Sequence, residues 1–131
     1  MTPESPNEFE TFHFTSSIED GWLTLLHLQG DFDSEAVYES GVLLRETIEA
    51  GPRWLLIDVL KAKYIDSPGF GMLCGIAKQA RDRGGCLSVA CDNPLLLKLL
   101  ARSDTKKLFN TRSSIEEARS LLEAKRNASQ A

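Results

Sequence analysis

Three carboxylates and one hydroxyl occupy positions at which a site could form. Asp31 and Asp33 follow the apolar run at residues 22–28, and Asp66 and Ser67 follow a second apolar run. Both groups lie where a strand is expected to give way to a helix. The carboxyl ends of parallel strands meet at one edge of an α/β sheet. We therefore expect Asp33 and Ser67 to lie close together although they are far apart in the chain.

The chemistry open to Ser67 is phosphorylation. Ser67, Pro68 and Gly69 are typical of a helix start, with serine as the N-cap and proline at the first helical position. The free N–H groups and the dipole of a helix N-terminus favour an anion. A phosphate there would add about −1.5 to −2 charges, which any partner docked on that surface would meet. Taken alone, simple capping is the more common role of Ser-Pro.

The three carboxylates could also have other roles. Asp31 and Asp33 could cap the following helix, or could join Asp66 around a metal in an enzyme or a nucleotide-binding protein. The phosphate-binding loop G-x-x-x-x-G-K-[ST], the G-x-G-x-x-G fingerprint and the G-x-S-x-G elbow are all missing from the sequence. We therefore expect a protein that is not an enzyme and that needs no cofactor.

Alternating and apolar runs predict the order β-β-α-β-α-β-α-(β)-α. The bracketed strand is the short pair Leu108 and Phe109, and Ser113 with Glu116 predicts a capping box for the last helix. Strand–helix–strand alternation implies parallel pairs, and the opening hairpin adds an antiparallel edge. The fold class is α/β, a mixed and mainly parallel β-sheet flanked by about four helices.

Composition indicates one compact domain. The chain has 131 residues, of which 42% are hydrophobic and 26% are charged, close to the averages of globular proteins. The net charge of −4 argues against nucleic acid or anionic lipid as a partner. No apolar stretch approaches the roughly 18–20 residues that span a bilayer, and the start MTPESPNE does not resemble a signal peptide. A cytoplasmic protein, away from the membrane, is expected.

Cysteine and histidine offer no metal set in the sequence. Cys74, Cys86 and Cys91 form no C-x-x-C pair, so we expect reduced thiols that pack as small core residues. His13 and His27 lie in strand-like segments far from these cysteines, and we expect ordinary histidines there.

Residues 54–73, WLLIDVLKAKYIDSPGFGML, resemble the signature of STAS domains, in particular of bacterial anti-sigma factor antagonists. That signature is a buried strand, a short turn and an Asp-Ser-x-Gly-hydrophobic-Gly helix start. Residues 28–33, LQGDFD, are similar to the family's Leu-x-Gly-Glu-Leu-Asp, and residues 84–90, GGCLSVA, to its Gly-Gly and following strand. Two segments depart from the pattern, Pro68 and residues 102–107.

The resemblance implies a phosphorylation switch. Ser67 would be the acceptor, Asp66 its neighbour and Asp33 the acidic residue facing it, with Asp31 and Gly69 nearby. The partner would be an anti-sigma factor that is also a serine kinase of the GHKL ATPase type, and a PP2C-type phosphatase would reverse the modification. The unmodified form would bind the anti-sigma factor and release the sigma factor, and so regulate transcription.

Helical spacing and the resemblance also suggest a partner surface. Met72 and Ile76 lie on a different helix face from the expected core stripe, so they are candidate contacts together with Pro68 and Phe70, and core packing is the alternative for Met72 and Ile76. We expect a monomer or a weak dimer.

The domain boundaries follow from the same reading. The STAS domain would cover residues 9–125, after a flexible segment at residues 1–8 and before a frayed tail at residues 126–131. The competing function is a STAS scaffold, or the subunit of a membrane transporter, that works without a phosphorylation switch.

Overall fold

The computed structural model describes residues 11–102 and 104–130, so the expected flexible segment at residues 1–8 lies outside the described residues. Nine elements follow one another within these described residues. They are β1 (His13–Glu19), β2 (Leu23–Phe32), α1 (Ser34–Ala50), β3 (Trp54–Ile65), α2 (Ser67–Asp82), β4 (Cys86–Ala90), α3 (Pro94–Leu100), α4 (Lys106–Phe109) and α5 (Ile115–Ser129).

The four strands form one mixed sheet in the order β1-β2-β3-β4. β1 and β2 are antiparallel, and β2, β3 and β4 are parallel. The hairpin turn has Asp20 at φ 52° and Gly21 at φ 74°, and the N–H of Trp22 donates to the carbonyl of Glu19 at 3.1 Å. Positive φ at both central residues is the turn that Asp-Gly favours. The predicted α/β fold with a mixed, mainly parallel sheet is confirmed.

Helices cover both faces of the sheet. Side chains of β2 alternate, so Leu26 and Leu28 belong to the core shared with α1 and α2, while Leu23 and Leu25 belong to a second core that α5 covers. β3 is buried on both faces from Trp54 to Val59, which explains why its sequence does not alternate.

The segment predicted as a last strand is helical. Leu108 and Phe109 end the single turn α4, and the Phe109 ring packs 5.6 Å from the Phe70 ring between centroids. Asn110 then adopts the left-handed conformation at φ 46° and turns the chain toward the sheet. Arg112 forms an isolated bridge with the edge of β4, since its N–H donates to the carbonyl of Val89 and its carbonyl accepts from the N–H of Cys91, both at 2.9 Å.

The last helix also differs from the prediction. Its N-cap is Ser114 and not Ser113, because the Ser114 hydroxyl accepts from the N–H of Glu117 at 3.1 Å. α5 remains helical to Ser129, beyond the end expected at residue 125. Arg126 lies over the Trp22 ring at 4.9 Å from its centroid, so the helix end packs on the hairpin.

Candidate functional site

The N-terminus of α2 carries the residues of the Asp-Ser-x-Gly motif. Asp66 is the N-cap, and its Oδ1 accepts from the N–H of Gly69 at 3.0 Å. Ser67 is therefore the first helical residue and not the cap, which corrects the sequence-based assignment. The carboxylate takes the capping position because a charged acceptor makes a stronger hydrogen bond to a helix N-terminus than a hydroxyl. The side chain of Ser67 is exposed.

The same carboxylate connects the two helices. Its second oxygen, Oδ2 of Asp66, accepts from the N–H of Ser34 at 3.0 Å. Asp33 in turn caps α1, since its Oδ1 accepts from the N–H of Ala36 at 3.0 Å. Asp33-Ser34 and Asp66-Ser67 are thus two copies of one arrangement, an aspartate cap followed by an exposed serine. The two strand ends converge as expected, at a point shared by the starts of α1 and α2.

Position 69 must be glycine because α2 and β2 are in close contact there. A methyl group at position 69 would lie 2.1 Å from the carbonyl oxygen of Phe32, far inside contact distance. The same Phe32 oxygen accepts from the N–H of Asp66 at 3.3 Å. The absent side chain lets the first turn of α2 sit directly on the end of β2, which places Ser67 at the rim.

Asp31 lies beside the two capped helix starts and takes no part in their described hydrogen bonds. It pairs with Tyr64 across β2 and β3, and with Asp33 it lines a cleft of about 140 Å³ that also includes Glu35 and Glu39. Among the described residues, no basic side chain lines that cleft. This cleft, next to the start of α1, therefore carries negative charge before any modification of Ser67.

Three of the candidate partner contacts are buried. Met72 is 5% exposed, Ile76 0% and Phe70 8%, so as surface contacts these predictions are wrong. α2 packs against α1 as well as against the sheet, and a methyl group at Gly41 of α1 would meet the Met72 side chain at 3.7 Å. Two faces of α2 are therefore buried, and the alternative of core packing is correct for Met72 and Ile76. Pro68 is exposed.

α1 carries two exposed apolar side chains that lie one turn apart. Tyr38 is 88% exposed and Val42 71%. One turn further on, Arg45 lies against Gly75 of α2, where an added methyl group would meet its guanidinium at 3.1 Å. Sequence reasoning missed Tyr38 and Val42, although two large apolar residues outside the core stripe of α1 were a signal for them.

The described residues hold no group of three or more His, Cys, Asp or Glu that could bind a metal ion. His27 Nδ1 lies 2.6 Å from Asp58 Oδ2, a pair that joins β2 to β3. Within residues 11–102 and 104–130, no helix has the length and apolarity to cross a membrane.

Comparison with known protein families shows to which family this chain belongs. The model of the STAS domain matches residues 14–118, from β1 into α5. This chain belongs to the STAS family. A STAS-domain containing protein of Pseudomonas aeruginosa (strain UCBPP-PA14) is 31% identical over 90 residues, which are 69% of this chain and 88% of that protein.

Solved structures show the same fold. An anti-sigma factor antagonist from Mycobacterium paratuberculosis has a TM-score of 0.76 at 15% identity, over 86% of this STAS domain and 95% of that chain. The Bacillus cell fate determinant SpoIIAA in the phosphorylated form has a TM-score of 0.62 at 18% identity, over 82% and 97% of the two chains. The STAS domain described here therefore has the fold of anti-sigma factor antagonists.

Proposed function

We propose that this STAS domain is an anti-sigma factor antagonist, a binding module without catalysis that is switched by phosphorylation of Ser67. The unmodified form binds an anti-sigma factor that is also a serine kinase of the GHKL ATPase type. Phosphorylation releases that partner, and a PP2C-type phosphatase restores binding. The observation that carries the proposal is the position of Ser67, exposed at the start of α2 with the capping role already taken by Asp66.

Ser67 can accept a phosphate without loss of the fold. Its side chain points away from the core, so modification breaks no described packing contact. The N-terminus of α2 carries partial positive charge, which favours the new anion. The solved phosphorylated form of SpoIIAA, a protein of the same fold, supports a phosphate on this kind of domain.

The modification would act on the partner and not on the helix. Asp31, Asp33 and Asp66 already give this surface negative charge, and a phosphate adds about −1.5 to −2 more. A partner surface that fits the unmodified serine would have to accommodate both the charge and the added atoms. Release of the partner is the expected consequence.

The docking surface would include the flank of α1 beside Ser67. Ser67, Gly71 and Gly75 follow one another at intervals of four along α2, and a methyl group at Gly71 would meet no atom within 4 Å. Tyr38 and Val42 are exposed on α1, the helix whose Gly41 and Arg45 lie against Met72 and Gly75 of α2. Small residues let a partner approach closely, and the two apolar side chains provide area that a partner can bury. This surface, with Pro68 at its rim, replaces Met72 and Ile76 as the proposed contact.

The first test is site-resolved mass spectrometry of the protein after incubation with ATP and a lysate of its own cells. The chain offers a matched control, because Ser34 has the same position after its aspartate cap as Ser67. We expect phosphate on Ser67 in the wild-type protein and in Ser34→Ala, and none in Ser67→Ala. Phosphate on Ser34 alone, or no phosphate while the lysate modifies other proteins, would contradict the proposal.

The second test separates the switch from a scaffold. Partners are isolated from the same cells with the wild-type protein, and their affinity is measured for Ser67→Ala and Ser67→Asp. The proposed function requires a partner that binds the alanine variant and loses at least tenfold in affinity for the aspartate variant. A partner such as a transporter ATPase that binds all three forms equally would favour the scaffold function.

A further inference from the structure

A cavity of about 580 Å³ opens at the end of the domain opposite Ser67. It lies between the C-terminal turn of α2, the start of β4, α4 and the last turns of α5. α2 has 16 residues, and at 1.5 Å per residue its two ends are roughly 24 Å apart. The cavity is therefore separate from the proposed docking surface. Its volume lies within the range of roughly 300–1,000 Å³ that is typical of small-molecule sites.

The charged side chains at this cavity are all basic. Arg81 comes from α2, Lys107 from α4 and Lys125 from α5, and among the described residues no carboxylate lines the cavity. None of the three forms a described ion pair. The chain as a whole carries a charge of −4, whereas this cavity groups three cations that have no ion pair among the described residues. Like charges brought together without a counter-charge repel one another, and a bound anion would relieve that repulsion.

The cavity also has an apolar wall. Trp54 and Leu87 are 6% and 1% exposed and line it, together with Ala77 and Leu108. The wall is held in place by Asn110, whose side-chain amide donates to the carbonyl of Leu87 at 2.8 Å. A ligand that fills the volume would therefore meet aromatic and aliphatic surface on one side and cations on the other.

The pKa of the Cys86 thiol reflects burial and charge at the same cavity. Burial raises the pKa of its thiol, and the charge of Lys125 opposes that rise. The ammonium group of Lys125 is thus close enough to act on an atom of the cavity lining. With its pKa raised, the thiol is protonated at neutral pH and adds no negative charge to the cavity.

We propose that this cavity binds a small organic anion, an aromatic or short aliphatic body that carries a carboxylate or a phosphate group. The body packs on Trp54 and Leu87, and the anionic group pairs with Arg81, Lys107 and Lys125. A nucleic-acid backbone does not fit the observations, because the three cations are grouped at one cavity of an acidic protein.

The test uses the dye 8-anilinonaphthalene-1-sulfonate, which combines an aromatic body with one anionic group. Its fluorescence is titrated against the wild-type protein, Lys107→Gln/Lys125→Gln and the control Lys61→Gln/Lys98→Gln, which removes the same charge outside the cavity. We expect saturable binding that is at least tenfold weaker in the first double variant and unchanged in the control. Arg81→Gln provides an independent variant, for which we expect at least threefold weaker binding.

Competition and mapping complete the test. Benzoate and phenyl phosphate, which share a ring and differ in the anionic group, are used to displace the dye, and the more effective one identifies the group preferred. Amide shifts in ¹H–¹⁵N spectra are expected at residues 84–87 and 125–129. Equal affinity in the two double variants, dye that neither competitor displaces, or shifts centred on Tyr38 and Val42 would overturn the proposal.

Discussion

Oδ2 of Asp66 accepts a hydrogen bond from the backbone N–H of Ser34 at 3.0 Å, while Oδ1 of the same carboxylate caps α2. One side chain therefore satisfies the starts of two helices, and its bond to Ser34 spans 32 positions of the chain. This shared cap holds the first turns of α1 and α2 together. The relative position of Ser67, Tyr38 and Val42, on which the proposed docking surface depends, rests on that connection.

The double role of Asp66 predicts a larger loss of stability than a single cap would give. A lost N-cap costs about 1 kcal/mol, so Asp66→Ala should lower the free energy of unfolding by about 2 kcal/mol. Asp33→Ala, which removes the single described bond to Ala36, should cost about 1 kcal/mol. Urea unfolding of the two variants measures both values. Equal losses would show that the bond to Ser34 contributes nothing.

The two glycines of the motif should respond oppositely to alanine. Gly69→Ala places a methyl group 2.1 Å from the Phe32 carbonyl oxygen and should destabilise the domain by about 2–3 kcal/mol or more, the cost of overpacking. Gly71→Ala meets no atom within 4 Å and should stabilise the helix by about 0.5–1 kcal/mol. Thermal unfolding measures both effects.

Gly71 also gives a test of the docking surface. An exposed glycine within α2 lowers the stability of the helix. Natural sequences accept such a loss mainly where function requires it. We expect Gly71→Ala to weaken binding of the anti-sigma factor at least fivefold although the folded protein is more stable. A partner that binds this variant as well as the wild-type protein would place the contact elsewhere.

Variants at Tyr38 and Ile76 distinguish side chains that contact the partner from side chains that pack in the core. Tyr38→Ala should leave the free energy of unfolding unchanged within about 0.5 kcal/mol, because the side chain is 88% exposed, and should weaken partner binding about 10-fold to 100-fold. Ile76→Ala should cost about 2–5 kcal/mol of stability, because the side chain is fully buried. Binding titrations and urea unfolding of both variants distinguish the roles, and the reverse pattern would restore Ile76 as a contact.

The cysteines should be slow to react in the folded protein. Burial raises the pKa of Cys74, Cys86 and Cys91 above the ordinary thiol value of 9.0. Fewer thiolates are then present at pH 8 than in the unfolded chain, so Ellman's reagent should react several times faster in 6 M urea. A native rate equal to that of the unfolded chain would contradict the burial of these thiols.

The same shifts predict how stability depends on pH. A raised pKa means that the folded state holds its thiol protons longer than the unfolded state does. Stability from this source is therefore complete below the unfolded pKa of about 9, and is lost as the pH rises through the folded values. The free energy of unfolding should fall as the pH rises above 9. Replacement of the fully buried Cys91 by alanine should make that fall shallower.

Local features of the fold could be predicted from the sequence because neighbours in the chain decide them. The opening hairpin, the cap at Asp33 and the apolar run of β3 depend on residues a few positions away. The position of the site followed for a similar reason, since strand ends in an α/β sheet meet at one edge. The Asp-Ser-x-Gly motif indicated the family, which the match over residues 14–118 confirmed.

Contacts between distant segments decided the rest. The pattern of α2 marks a single buried stripe, yet α1 covers a second face and buries Met72 and Ile76. The apolar pair Leu108 and Phe109 suits a strand or a helix, and the packing of Phe109 on Phe70 favours the helix.

The site and the cavity show the same division. The sequence by itself determined that a serine follows an aspartate at the start of a helix, which is a statement about adjacent residues. Only the tertiary structure showed that Asp66 also accepts a hydrogen bond from the N–H of Ser34. It likewise showed that Arg81, Lys107 and Lys125 line one cavity. Hydrogen bonds and charges act through space, so residues on three separate helices can form one site that no spacing in the chain reveals.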